Sequence, residues 1–154
     1  LGLSNAAFLR IQIDGIANYF APGEVSEIWI TFPDPQLRLS KLKKRLTHPK
    51  FLRIYQQFLK AGGKIHLKTD SPDLFQFTTL VANQYDCIVH ESYDDLYAQP
   101  SPAEELKIKT HYEGLDIAGS SRIHYVCFSL PATLPGTEKD EALKKELKHA
   151  AALD

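Results

Sequence analysis

Three aspartates, Asp14, Asp34 and Asp70, stand where short strand-like segments of the sequence end. In an open α/β sheet, ligands bind beyond the carboxyl ends of the parallel strands. Carboxylates at that edge can accept hydrogen bonds from a ligand or stabilise positive charge that develops on it. Each aspartate taken alone could instead cap a helix or form a turn. Three of them at one edge favour a shared ligand site.

A basic segment lies between the second and third of these aspartates. No Asp or Glu occurs between Asp34 and Asp70, whereas ten of the chain's 18 Lys and Arg residues lie there. These ten are Arg38, Lys41, Lys43, Lys44, Arg45, Lys50, Arg53, Lys60, Lys64 and Lys68. Such a block can attract a polyanion, although the net charge of the whole chain is only −1. The alternative is a solvated helix face without a partner.

Five apolar or alternating segments predict the β-strands that would position these side chains. They are Phe8–Asp14, Val25–Phe32, Lys64–Thr69, Cys87–Glu91 and Ile123–Leu130. Helical patterns separate the middle strands, which predicts parallel crossovers early in the chain and a close strand pair at its end. This order is typical of an open α/β sheet.

Two helices are predicted between these strands. Thr47 is the expected N-cap of the first helix, Pro49 fits its first turn, and Gly62-Gly63 is expected to end it. Ser71 is expected to cap the second helix, which runs to about Tyr85. Residues 36–47 are predicted to form a basic loop, and residues 92–121 a long polar connection. Residues 131–154 form a charged tail that could include a surface helix.

Composition excludes several classes of protein. Apolar residues make up 44% and charged residues 24% of the chain, which are ordinary values for a globular domain. The apolar stretches are too short for a membrane span, so no membrane partner is expected. Cys87 and Cys127 lie in apolar runs, which favours buried reduced thiols of a cytoplasmic protein over a disulfide or a metal site. The six histidines lack metal-ligand spacing, so no metal is expected.

Motifs at five places stand in the order and at the spacings of one enzyme family. They are ITFPDP at Ile30–Pro35, KKRLT at Lys43–Thr47, Phe51-Leu52, GGKIHLKTD at Gly62–Asp70 and THYE at Thr110–Glu113. Through them, roughly residues 5–130 resemble the bacterial tRNA (guanine-N7-)-methyltransferases. The resemblance implies a Rossmann-like class I methyltransferase sheet, mostly parallel with an antiparallel last strand, and S-adenosylmethionine as the cofactor.

The resemblance also implies what this chain lacks. The family's first two strands and its glycine-rich cofactor loop would lie upstream of Leu1. Residues 1–130 would then be the C-terminal part of a methyltransferase domain. The chain alone is therefore expected to be inactive and to bind S-adenosylmethionine weakly or not at all.

Individual residues receive roles from the same resemblance. Asp34 corresponds to the catalytic acid, and Asp14 and Asp34 correspond to acids that hold the cofactor. The residues implied in substrate binding are Arg38, Asp70, Thr110 and Glu113. The residues implied in RNA binding are Ser40, Lys41, Lys43, Lys44 and Arg45.

The chemistry of guanine fits these side chains. Guanine N7 carries a lone pair and no proton, so methylation requires positioning more than a strong base. The methylated base is cationic, and Asp34 could stabilise the charge as it develops. Asp70 and Glu113 could accept hydrogen bonds from the N–H donors of guanine. Glu113 could alternatively neutralise Lys107 or Lys109 on the surface.

The sequence thus predicts an enzyme that methylates N7 of a variable-loop guanosine in tRNA. It is expected to act in the cytoplasm as a monomer or homodimer. A non-catalytic RNA-binding module derived from the same fold is the alternative, and the missing cofactor loop favours it. A nicotinamide-dependent Rossmann enzyme is disfavoured, because the sequence contains no GxGxxG motif.

Overall fold

The computed structural model describes residues 2–111, 113 and 122–153. Its strands are β1 (Val25–Thr31), β2 (Leu59–Thr69), β3 (Ile88–Tyr93) and β4 (His124–Ser129). Its α-helices are α1 (Pro49–Gln56), α2 (Pro72–Gln84) and α3 (Thr137–Leu153). Short 3-10 helices occupy Ile13–Asn18, Leu39–Lys44, Leu96–Ala98 and Glu104–Lys107.

The four strands form one mixed sheet in the order β1-β2-β4-β3. β1 and β2 are parallel, whereas β4 runs antiparallel to both β2 and β3. Three strands therefore share one direction, and the last strand of the chain is inserted between two of them in the opposite direction. This confirms the predicted mostly parallel sheet with an antiparallel last strand.

The main core lies between one face of the sheet and the α-helices. Ile65 and Leu67 of β2 are fully buried there, together with Leu52 of α1 and Leu74 of α2. Burying each such side chain contributes about 1.5–3 kcal/mol to folding. The alternate residues of β2 point to the opposite face, where a smaller cluster contains Leu96 and other apolar residues. The α-helices thus cover one face of the sheet, and the other is left to loops.

The predicted strand Phe8–Asp14 is wrong. Residues 8–12 pair with no strand of the described sheet, and Asp14 lies in the 3-10 helix Ile13–Asn18. The side chain of Phe8 is 92% exposed. A strand is stable only with a hydrogen-bonded neighbour, and this segment has none among the described residues. Gln12 nevertheless keeps extended backbone angles.

The first predicted helix is shorter than its pattern suggested. Its N-cap is His48 and not Thr47, because the Thr47 hydroxyl is engaged with Thr78 at 2.6 Å. The helix ends at Gln56, and Gly62-Gly63 lie in a bulge of β2 instead. Ser71 caps α2 as predicted, by accepting a hydrogen bond from the Leu74 amide.

The basic loop and the charged tail both contain helical structure. Residues 36–47, expected to be a loop, include the 3-10 helix Leu39–Lys44. In the tail, α3 buries Leu143 in the main core. Asp140 of α3 accepts two hydrogen bonds of 2.8 Å from the Arg53 guanidinium. α3 is thus attached to α1 by a bidentate ion pair as well as by apolar contact.

His48 makes the stability of the fold sensitive to pH. Its ring Nδ1 accepts a hydrogen bond of 3.0 Å from the Lys50 amide, and burial lowers the pKa of His48 from 6.5 to about 4. The unfolded chain therefore binds a proton more readily than the folded chain between these values. The stability contribution is complete above pH 6.5 and is lost as pH falls towards 4.

We expect the free energy of unfolding to fall by about 2 kcal/mol from this histidine between pH 7 and pH 5. His48→Asn keeps a capping acceptor and removes the titration. Denaturant unfolding of both proteins at the two pH values checks the prediction. An equally steep loss of stability in His48→Asn would assign the pH dependence to other groups.

Candidate functional site

Asp34 lies on a strained turn at the carboxyl end of β1. The non-glycine residues Phe32 and Gln36, on either side of it, adopt positive φ angles of 50° and 49°. Such angles cost about 1–3 kcal/mol each and accumulate at functional sites. Asp34 Oδ1 accepts a hydrogen bond of 3.0 Å from the Gln36 amide, and the residue is exposed. The turn therefore presents a carboxylate to solvent from a stiff backbone between two prolines.

Asp70 follows the neighbouring parallel strand β2 and lies at the same edge of the sheet. The two strand ends are in register, with Thr31 opposite Lys68. Asp70 is half-buried between the last residue of β2 and the first turn of α2. The structure thus brings Asp34 and Asp70 to one edge, as their positions after two parallel strands predicted.

Asp14 does not end a strand, so the predicted set of three strand-end acids is reduced to two. Its carboxylate forms an ion pair of 2.6 Å with Lys50 in the first turn of α1. The hydrogen bond from Lys50 lowers the pKa of Asp14 below its ordinary value. Both side chains are about half exposed, at 56% and 43%. A surface ion pair of this kind is weak, so Asp14 can leave Lys50 and interact with another partner.

The residues predicted to bind RNA differ in exposure. Ser40, Lys41, Lys43 and Lys44 lie on the 3-10 helix Leu39–Lys44 and are exposed, and Arg38 is exposed just before it. Arg45 is buried, at 6% exposure. Its Nε donates to the Gln36 carbonyl, and its guanidinium lies 4.7 Å from the centre of the Phe77 ring. Burial lowers the pKa of Arg45, which acts in this structure as an anchor for the turn that carries Asp34.

Glu113 is held by a residue that the sequence did not single out for this role. Its carboxylate forms an ion pair of 2.6 Å with Lys68 of β2, and the two side chains are only 2% and 3% exposed. Glu113 Oε2 also accepts a hydrogen bond of 2.6 Å from the Tyr97 hydroxyl. The expected alternative, a surface pair with Lys107 or Lys109, is not observed: Lys107 pairs with Glu104, and the Lys109 ammonium lies 4.9 Å from the centre of the Tyr97 ring.

Thr110 belongs to the same loop. Its amide donates to Glu113 Oε1 at 3.4 Å, and its buried hydroxyl has no hydrogen-bond partner within the described part of the chain. Tyr112 of the THYE motif, and residues 114–121 of the predicted long connection, lie outside the described residues. The two positions of this motif that have a predicted role, Thr110 and Glu113, both lie within the described residues.

A cavity of about 510 Å³ extends along the sheet face that the α-helices leave open. Its floor includes Trp29, which stacks on His66 with the ring centres 3.8 Å apart. His66 lies 2.7 Å from the Tyr125 hydroxyl and 3.1 Å from Glu27, and burial lowers its pKa. Sequence reasoning missed this face. The signal was present in the alternation of polar Lys64, His66 and Lys68 with apolar residues along β2.

The described residues contain no cluster of His, Cys, Asp or Glu that could hold a metal ion. In the same residues, no helix is long and apolar enough to cross a membrane.

Comparisons with known proteins show to which family the chain is similar. A family model described as "Putative methyltransferase" matches residues 1–123. The tRNA (guanine-N(7)-)-methyltransferase of Porphyromonas gingivalis is 47% identical over 130 residues, which are 84% of this chain and 52% of that protein. The enzyme of the same name from Bacteroides thetaiotaomicron is 44% identical, over 84% of this chain and 51% of that protein.

A solved structure of geranyl diphosphate C-methyltransferase from Streptomyces coelicolor A3(2) aligns with 73% of this chain and 51% of that one, with 15% identity and a TM-score of 0.41. The chain spans about half the length of the curated relatives it matches. The family model covers residues 1–123 of the 154. The chain, with its mixed α/β sheet, therefore belongs to the methyltransferase family that this model describes.

Proposed function

We propose that the protein containing this chain transfers a methyl group from S-adenosylmethionine to N7 of a guanosine in the variable loop of tRNA. The observation that carries the proposal is the sheet edge at which both Asp34, on its strained turn, and Asp70 follow parallel strands. The names of the two relatives described above, which share 47% and 44% identity with this chain, support the same reaction. Family membership supports methyl transfer in general.

S-Adenosylmethionine would supply a sulfonium methyl group to the nucleophilic N7. The exposed carboxylate of Asp34 fits both this cationic cofactor and the cationic product base. Asp14 could contribute to cofactor binding because its surface ion pair with Lys50 can exchange. The work of Asp34 in this scheme is to orient the reacting groups and to stabilise developing charge.

Transfer RNA would be held by the exposed cations next to this edge. The 3-10 helix Leu39–Lys44, which follows Asp34 within ten residues of the chain, carries the exposed Lys41, Lys43 and Lys44. Such cations bind phosphates and supply affinity more than sequence choice. The target base would have to turn out of the folded RNA to reach the edge. Arg38, Asp70 and Thr110 are proposed to contact it there, with Asp70 accepting from its N–H donors.

The cellular setting forms part of the proposal. Both cysteines, Cys87 and Cys127, are free thiols, which suits a reducing compartment such as the cytoplasm. A monomer or a homodimer is compatible with a site formed by one chain.

Methyl transfer from labelled S-adenosylmethionine to bulk tRNA tests the function. We expect transfer by a protein of the relatives' length that contains this sequence. If the longer protein binds tRNA and S-adenosylmethionine but transfers no methyl group, the methyltransferase proposal is wrong. Binding of tRNA alone would favour an RNA-binding module.

A further inference from the structure

We propose that Lys68 is a positioning residue for guanosine binding. Its buried ammonium fixes the loop that contains Tyr97, Leu106 and Ile108 onto the sheet, and through that loop it places Thr110 and Glu113 at the ligand edge. The proposal rests on the proposed function for its substrate, but the position of the loop can be tested separately.

The ammonium of Lys68 is surrounded by acceptors from along the loop. Nζ donates to the Tyr97 hydroxyl at 3.0 Å, the Leu106 carbonyl at 3.1 Å and the Ile108 carbonyl at 2.9 Å, and it pairs with Glu113 at 2.6 Å. An ammonium has three N–H donors, so four acceptors saturate it. One side chain thus holds the loop at four points spread over 17 residues, from 97 to 113.

The backbone of the same residue holds the other half of the site. The Lys68 carbonyl accepts a hydrogen bond of 2.8 Å from the Phe32 amide, where the turn that carries Asp34 begins. In the sheet, Lys68 lies between Thr31 of β1 and Tyr125 of β4. Lys68 therefore connects the turn and the loop, and replacing its side chain loosens the loop while the backbone contact to the turn remains.

The carboxylate of Glu113 is largely used within this arrangement. Oε1 is paired with Lys68 and accepts from the Thr110 amide, and Oε2 accepts from Tyr97. With a side chain only 2% exposed, Glu113 is better suited to shape the loop than to supply a free acceptor to guanine. A buried ion pair often adds little net stability compared with apolar residues of similar size. We therefore assign the Lys68–Glu113 pair a role in positioning the loop. The KM for tRNA can report on that role.

The test compares Lys68→Met with Lys107→Met in the methylating protein. Lys107 lies on the same loop, but its ion pair with Glu104 is exposed. We expect Lys68→Met to raise the KM for tRNA about tenfold and to leave the KM for S-adenosylmethionine unchanged. Lys107→Met should change neither constant. Equal increases in both constants, or an unchanged KM for tRNA, would overturn the proposal.

A double variant separates positioning from a general loss of folding. Lys68→Met leaves the Glu113 carboxylate buried without its cation, which could unfold the protein. Lys68→Met/Glu113→Gln removes both charges and should fold, with the KM for tRNA raised about as much as in Lys68→Met and no further, because the two side chains act as one unit. A double variant that folds and has the wild-type KM for tRNA would show that the pair does not position the substrate.

Trp29 reports on the loop without any substrate. It is the chain's single tryptophan, and it lines the same cavity as Leu106, Ile108 and Thr110. We expect acrylamide quenching of its fluorescence, measured in the 154-residue chain, to increase with the double substitution and to stay unchanged with Lys107→Met. Unchanged quenching in the double variant would refute the anchoring role. If the wild-type protein methylates no tRNA, the proposed function fails, whereas the quenching comparison still decides how the loop is held.

Discussion

Asp34→Ala is expected to reduce the rate of tRNA methylation about 10²–10³-fold, with a melting temperature close to that of the unchanged protein. The carboxylate is exposed, so its removal leaves no cavity in the core. Its loss removes the negative charge proposed to stabilise the cationic product. The measurement is single-turnover methylation of tRNA together with thermal unfolding.

Asp34→Asn is the matched control, because an amide oxygen can still accept the hydrogen bond from the Gln36 amide. We expect it to lose activity to nearly the same extent as Asp34→Ala, since both lack the charge. If Asp34→Asn keeps wild-type activity while Asp34→Ala loses stability, Asp34 is a structural part of its turn and not the catalytic acid.

Lys43→Ala/Lys44→Ala is expected to weaken tRNA binding and to flatten its dependence on salt. Each lost phosphate contact should reduce the slope of log affinity against log salt concentration by about 0.7–0.9. Both lysines are exposed on the 3-10 helix next to the proposed site. Lys145→Ala/Lys148→Ala, on exposed positions of α3, removes the same charge from another surface and should leave the slope unchanged.

Arg45 should behave differently from these two lysines. Because it is buried and donates to the Gln36 carbonyl, Arg45→Ala is expected to lower the melting temperature. The salt dependence of tRNA binding is then measured for each variant that stays folded. Equal slopes in Lys43→Ala/Lys44→Ala and in the α3 control would mean that the basic segment is only a solvated face.

The parts of the fold that local pattern determines were predicted well. β1 and β4 are rich in β-branched and aromatic residues, the second half of β2 alternates polar with apolar residues, and Ser71-Pro72 is a strong local start for a helix. The segment 8–14 has an equally strong local pattern, but a strand also depends on a neighbour that supplies hydrogen bonds. Thr47 and His48 show the same limit at the scale of one residue. Either could cap α1, and the contact between Thr47 and the distant Thr78 decides between them.

The same limit applies to the candidate site: local pattern predicts some of its features, and contacts between distant residues determine the others. Asp34 and Asp70 could be predicted to lie at the same edge of the sheet, because they follow two strands that local pattern identifies. The sequence shows that Arg45 and Lys68 are cationic. The neighbouring residues in the sequence do not show that Arg45 anchors a turn or that Lys68 is buried. The partner of Lys68 is Glu113, 45 residues further along the chain. Sequence pattern carries little information about a pair at that separation.

Nucleoside analysis tests whether guanosine in tRNA is methylated at N7. Unmodified tRNA is incubated with S-adenosylmethionine and a protein of the relatives' length that contains this chain, and the digested nucleosides are separated by mass spectrometry. We expect 7-methylguanosine as the product, formed about 10²–10³-fold more slowly when Asp34 is replaced by alanine. A methyl group on another base or another guanine atom, or no product although both ligands bind, would contradict it.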